Sequence, residues 1–149
     1  MTGSESNVLK VALDYAKRGF SVIPVRRNKR PIVKWERYQH ERATPEQIYS
    51  WWKSHPKAGV GIVTGRISGL VVVDVDGEKG SESSAELIPD LMETPTARTQ
   101  SGGIHYYFQW PGHEISNAVA LKPGIDFRGD GGCVVAPPSK GQNGNRYQW

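Results

Sequence analysis

The stretch Leu70–Gly77, LVVVDVDG, constrains this chain more than any other. Four consecutive apolar residues, Leu70 to Val73, three of them β-branched, fit a strand covered on both faces better than a helix with one wet side. Two carboxylates, Asp74 and Asp76, then close the run. Residues two apart in a strand share a face, so both acids point the same way at a strand mouth. Like charges that close resist joint ionisation unless a cation sits between them. An oxygen-only pair of this kind suits magnesium or manganese. The same residues also fit a plain polar turn after a strand.

The surrounding sequence predicts short elements joined by tight turns. A helix is expected from Val8 to Arg18, with Ser6 as N-cap and Gly19 as C-terminal stop. Its Val8, Val11, Ala12, Tyr15 and Ala16 recur at helical spacing and should face the core. Phe20 to Val25 reads as a strand that Pro24 pushes towards an edge. A basic loop, NKRPIVKW, follows from Asn28 to Trp35. Thr44, Pro45 and Gln47 predict a capping box and a helix carrying Trp51 and Trp52 as core residues and ending before Pro56. Val60–Thr64 and Leu70–Asp76 read as a β-hairpin around Gly65–Gly69, and a short helix is expected near Ser84 to Leu91. Thr96–Gln100 with Ile104–Trp110 reads as a second hairpin, and Gly124–Arg128 with Cys133–Ala136 as a third pair. Arg146 to Trp149 reads as a last strand. With 17 Gly and 10 Pro in 149 residues, this is an α+β pattern of one domain's length, residues 1–149.

Two further segments carry chemistry. In Ser101-Gly102-Gly103-Ile104-His105, glycines let a backbone approach a ligand closely, and exposed N–H groups with a serine hydroxyl can hold phosphate oxygens. His105 opens the apolar strand IHYYF and could donate to the same phosphate; an ordinary glycine turn with a core histidine fits as well. In GIDFRGDGG, Asp126 and Arg128 share a strand face, either as an ion pair or as a third carboxylate for the Asp74–Asp76 pair. Lys29, Arg30 and Lys34 could touch phosphates or simply be solvated.

Taken in order, these pieces carry a resemblance. Asp-x-Asp after an apolar strand, then Ser-Gly-Gly-x-His, then an apolar-Asp strand is similar to the three motifs of the archaeo-eukaryotic primase superfamily, and most similar to its bifunctional primase/polymerase (prim-pol) branch. The resemblance spans ALDYAKRGFSVIPV, KRPIVKW, TPEQIYSWW, VGIVTG, GLVVVDVDG, ARTQSGGIHYYF, GIDFRGDGGCVVAPPS and RYQW. It implies a small N-terminal α/β module packed on an RNA-recognition-like mixed or antiparallel sheet, with the active site between them. It implies that Asp74, Asp76 and Asp126 are catalytic and bind Mg2+ or Mn2+, and that Ser101, His105, Arg128 and Lys29 contact the nucleotide. The implied activity is template-dependent primer synthesis or extension, with single-stranded DNA and nucleoside triphosphates (NTP or dNTP) as partners and a fused or separate helicase as a further one. Some relatives carry an inserted zinc element, for which this chain lacks cysteines.

Other readings of the same residues compete with this one. A calcium EF-hand loop counted from Asp74 would need Gly and Glu where Lys79 and Ala85 stand. An Asp-nucleophile phosphatase also has Asp-x-Asp-Gly after an apolar strand, usually followed by a hydroxyl residue, whereas Glu78 follows here. A catalytically silent relative that only binds nucleic acid is the remaining alternative; three retained carboxylates and His105 argue against it. A net charge of +4 suits a polyanionic partner. A single cysteine, Cys133, excludes an internal disulfide, and no apolar stretch is long enough for a bilayer, so a cytoplasmic protein without a membrane partner is expected.

Overall fold

The computed structural model describes residues 3–87 and 93–149. The elements run α1 (Gly3–Lys17), β1 (Ser21–Val25), a 3-10 turn (Glu36–Gln39), α2 (Pro45–Ser54), β2 (Gly59–Val63), β3 (Leu70–Val75), α3 (Gly77–Leu87), β4 (Thr96–Arg98), β5 (Ile104–Gln109), β6 (Ala118–Lys122), β7 (Ile125–Arg128) and β8 (Cys133–Ala136). They build two antiparallel sheets, one of three strands ordered β1-β2-β8 and one of five ordered β4-β5-β3-β7-β6. The α+β class read from the sequence is borne out. Among the described residues no helix is long and apolar enough to cross a membrane.

The local signals explain the N-terminal module. The first helix ends where Gly19 takes φ +97°, a left-handed conformation that glycine adopts without strain. The second begins on the expected capping box: the Gln47 N–H donates to Thr44 Oγ1 at 3.1 Å, and the Thr44 N–H donates to Gln47 Oε1 at 2.9 Å. Trp52 is fully buried and its indole N–H donates to Ala58 O at 3.0 Å, so its one polar atom is satisfied. Pro24 lies on β1, an edge strand, as its missing N–H requires. Strand β2 is buried along its whole length. Its Gly61 has no room for a side chain, because a Cβ there would lie 2.9 Å from Val25 Cγ1.

Several expectations are corrected. The first helix starts at Gly3, so Ser6 lies inside it and is not its N-cap. The third helix starts at Gly77, well before Ser84, and the expected end near Leu91 lies outside the described residues. Residues 146–149 form only isolated bridges, Arg98 with Gln148 and Lys140 with Arg146. Most consequentially, the first and third expected strand pairs do not exist. Beyond β2, Gly65 bridges to Leu70 of β3, but the two strands lie in different sheets, and so do β7 and β8. The reason is burial. A continuous apolar strand needs partners on both edges and cover on both faces. Strand β2 finds its partners in β1 and β8, and β3 finds its own in β5 and β7. The expected hairpin of β4 and β5 does form, with Ala97 opposite His105.

Both chain crossings between the sheets are clasped at one point. Thr64, at the end of β2, donates its hydroxyl to Gly129 O at 2.6 Å, and its N–H donates to Gly132 O at 2.9 Å. Asp130 accepts the N–H of Arg66 at 2.9 Å, the N–H of Ile115 at 2.9 Å and the indole N–H of Trp110 at 3.1 Å. Burial alone would raise its carboxyl; these donors outweigh that and hold it below the usual carboxylate range.

Asp130→Asn should therefore lower stability at neutral pH by about 1–3 kcal/mol, the usual cost of spoiling hydrogen bonds to a charged acceptor. A depressed folded value means that the carboxylate's contribution is complete above the unfolded value of about 3.9 and is lost as pH falls through the folded one. The deficit of the variant, measured by thermal melting, should be full at neutral pH and shrink under acid. A pH-independent deficit would show that shape rather than charge is at stake.

Candidate active site between the sheets

The site follows from the register of β3. Asp74 lies opposite His105 on β5 and opposite Asp126 on β7. Directly opposed residues in antiparallel strands share a face, with Cβ atoms about 4.5–5.5 Å apart. One row across three strands thus presents His105, Asp74 and Asp126 together. Asp76 follows two residues on, just past the strand, where its N–H donates to Gly124 O at 2.8 Å.

The loop before β5 closes on this strand end. The Thr99 hydroxyl accepts the Gly103 N–H at 3.0 Å, and Gly102 takes φ +86°. A Cβ on Gly103 would lie 2.7 Å from Val75 O and 3.0 Å from Asp76 Oδ1, so glycine is what allows the approach. It brings the Ser101 hydroxyl to 3.4 Å from Asp76 Oδ1. From the other sheet come Val25 and Lys29, together with Cys133 to Val135 of β8.

The result is a cavity of about 230 Å³ between the two sheets. Six residues singled out from the sequence line it: Lys29, Asp74, Asp76, Ser101, His105 and Arg128. Asp126 is not in the lining, although it opposes Asp74; its Oδ2 lies 3.4 Å from Arg128 Nη2. Two lining residues went unnoticed in the sequence, Thr99 and Tyr147. Tyr147 carried a weak signal as an aromatic in the RYQW segment, but only the fold turns it inward. Burial, then the charges of Asp74 and Asp76, push its hydroxyl up to about 12.

Electrostatics centre on Asp74. Burial acts to raise its carboxyl, but His105, with Nε2 at 3.5 Å, and the charges of Arg128 and Lys29 outweigh burial and hold it below its ordinary value. His105 itself is buried, and its Nδ1 has no partner among the described residues. The buried Tyr107 hydroxyl is likewise unpartnered.

Among the described residues no group of three or more His, Cys, Asp and Glu side chains is arranged to hold a metal ion. Each carboxylate meets a different donor: Asp74 Oδ1 lies 3.5 Å from His105 Nε2, Asp76 Oδ1 lies 3.4 Å from the Ser101 hydroxyl, and Asp126 Oδ2 lies 3.4 Å from Arg128 Nη2. The donor chemistry nonetheless fits a hard divalent cation at Asp74 and Asp76. Both offer only oxygen, both line one cavity, and contacts of 3.5 and 3.4 Å are long enough to be exchanged readily.

The family model of the bifunctional DNA primase/polymerase N-terminal domain (Prim-Pol) matches residues 12–149. No curated protein matches the chain.

Replacing His105 by Ala should raise the Asp74 carboxyl, because the strongest influence holding it down is removed while burial remains. Carboxyl carbon NMR across an acid titration reads this directly. An unmoved Asp74 titration would mean that His105 does not set its charge.

Proposed function

Because the chain belongs to the bifunctional DNA primase/polymerase N-terminal family, we propose that it is a template-dependent nucleotidyltransferase that starts or extends a strand on single-stranded DNA. The observation that carries this reading is the pairing of two carboxylates, Asp74 and Asp76, with Ser101, His105, Lys29 and Arg128 around one cavity. Acids suited to a divalent cation thus face cations and hydroxyls suited to phosphate.

The division of labour follows from the chemistry of each group. Asp74 and Asp76 would hold Mg2+ or Mn2+, with Asp126 one strand away as the third carboxylate. Such an ion, when bound, supplies Lewis-acid activation of a 3′-hydroxyl and neutralises charge on departing pyrophosphate. Lys29 and Arg128 balance the phosphates of an NTP or dNTP, and Arg128 can do so with two parallel donors. Ser101 and the glycine backbone beside it grip a phosphate oxygen, and His105 donates to the same group or to Asp74. The attacking oxygen forms a bond to the α-phosphorus, the bond from that phosphorus to the pyrophosphate oxygen breaks, and the hydroxyl proton is released. A volume of about 230 Å³ suits the triphosphate end alone, leaving sugar and base outside it.

Labelled nucleotides incubated with the protein, magnesium or manganese, and a template with or without a primer test this reading. Asp74→Ala and Asp76→Ala should each cut incorporation by roughly a thousandfold or more, since loss of a metal ligand forfeits several kcal/mol of transition-state stabilisation. Melting temperature should hold in Asp76→Ala, whose side chain is exposed, and fall in Asp74→Ala, whose carboxylate is stabilised in the fold by His105, Arg128 and Lys29. His105→Ala should weaken apparent triphosphate affinity by roughly ten- to hundredfold, the worth of one hydrogen bond to a charged ligand. No incorporation by the parent protein under any of these conditions would leave a binding role in its place.

A further inference from the structure

The acid cavity is not the only concavity that the 26–30 turn serves. This turn is pinned by three hydrogen bonds: the Arg26 N–H to Arg30 O at 2.8 Å, the Lys29 N–H to Arg26 O at 2.9 Å and the Arg30 N–H to Asn28 Oδ1 at 3.0 Å. Lys29 adopts φ +74° within it, a left-handed conformation that a lysine holds only when its surroundings impose it. The turn consequently sends side chains two ways. Lys29 enters the acid cavity, whereas Arg26 and Arg27 line a second cavity of about 630 Å³ with Ile32, Ser54, His55 and Lys57.

Charge is concentrated here. Arg26, Arg27, Lys29, Arg30, Lys34 and Lys57 are all exposed, and among the described residues none is in a salt bridge. No Asp or Glu occurs between residues 26 and 35 or between 53 and 58. The chain has 19 Lys and Arg against 15 Asp and Glu, so without these six the remaining cations are outnumbered. The segment 26–35 together with Lys57 thus carries six cations, and of these Arg26, Arg27 and Lys57 line the second cavity. The second cavity also has an apolar side, from Ile32, Pro56 and Ala58.

We infer that this face is the track along which a single-stranded nucleic acid reaches the acid cavity, its phosphates on Arg26, Arg27 and Lys57 and a base against Ile32 and Pro56. Phosphates take charge from lysines and arginines that have no other partner, and a pinned turn binds them without a large ordering cost. A single strand exposes base faces to the apolar side, as a duplex cannot. The inference deepens the nucleotidyl-transfer reading, and rests on it, by naming the surface that carries the template past Lys29.

Fluorescence anisotropy of a labelled oligodeoxythymidine of about twenty nucleotides, long enough for one site, tests it with the full chain and no divalent metal. The triple variant Arg26→Ala, Arg27→Ala, Lys57→Ala should bind at least about tenfold more weakly, and its salt slope should fall by about 2, or roughly 0.7 for each lost phosphate contact. Arg26→Lys with Arg27→Lys should keep the slope, which a loss of fold would not. Asp74→Ala should bind the strand as the parent does. Unchanged affinity and slope in the triple variant would overturn the inference. So would a parent protein that prefers duplex of the same sequence, or a triple variant that loses affinity for free nucleoside triphosphate but not for the strand. Failure of incorporation in the parent, with strand binding lost in the triple variant, would instead sink the nucleotidyl-transfer reading and leave this surface standing.

Discussion

The antiparallel register of β3 between β5 and β7 is the constraint on which the site depends. It sets Asp74 opposite both His105 and Asp126, and with it the face on which every polar group of the cavity lies. A slip of one residue would turn Asp74 away from that face and bring a valine in its place. The register is held by the strand's own apolar residues: Val72 is fully buried, and Leu70, Val71 and Val75 nearly so. Core packing and site geometry are thus one condition here, and the valines act as the positioning residues of the carboxylates.

A second condition is that the two sheets stay in one relation. The chain passes between them twice, from β2 to β3 and from β7 to β8, and both passages meet at Asp130 and Thr64. The cavity draws Lys29 and Val134 from one side and Asp74 and His105 from the other, so any opening of this clasp would separate Lys29 from the acids. The clasp lies outside the cavity lining, which makes Asp130 a positioning residue for the whole arrangement.

The cavity's charge pattern has a physical logic of its own. Asp74 is a half-buried carboxylate kept ionised by His105, Arg128 and Lys29, while burial and then the charges of Asp74 and Asp76 make ionisation of Tyr147 harder. Lys29 reaches the acids across the inter-sheet gap, whereas Arg128 and His105 lie in the acids' own sheet. That gap is continuous in sequence, through the 26–30 turn, with the second cavity lined by Arg26, Arg27 and Lys57, none of which is in a salt bridge among the described residues.

Much of this was legible from residue order. The strand-end pair Asp74–Asp76, the Ser-Gly-Gly-x-His loop, the Thr44 capping box, the Gly19 stop and the edge position of Pro24 are local matters, set by side-chain alternation, left-handed glycine and the missing proline N–H, and each is visible within a few residues. Which strands pair was not legible. Neighbouring strands at 60–64 and 70–76 look like a hairpin because proximity in sequence favours it, yet both are apolar on both faces, and only the three-dimensional supply of covering surface sends them to different sheets. The same applies to the inward turn of Tyr147, the clasp at Asp130 and the separate donors that Asp74, Asp76 and Asp126 each meet. The sequence by itself determined the chemical groups and the local turns that present them. The tertiary structure decided which groups share a cavity, because burial of two apolar central strands is a property of the whole chain and not of any one segment.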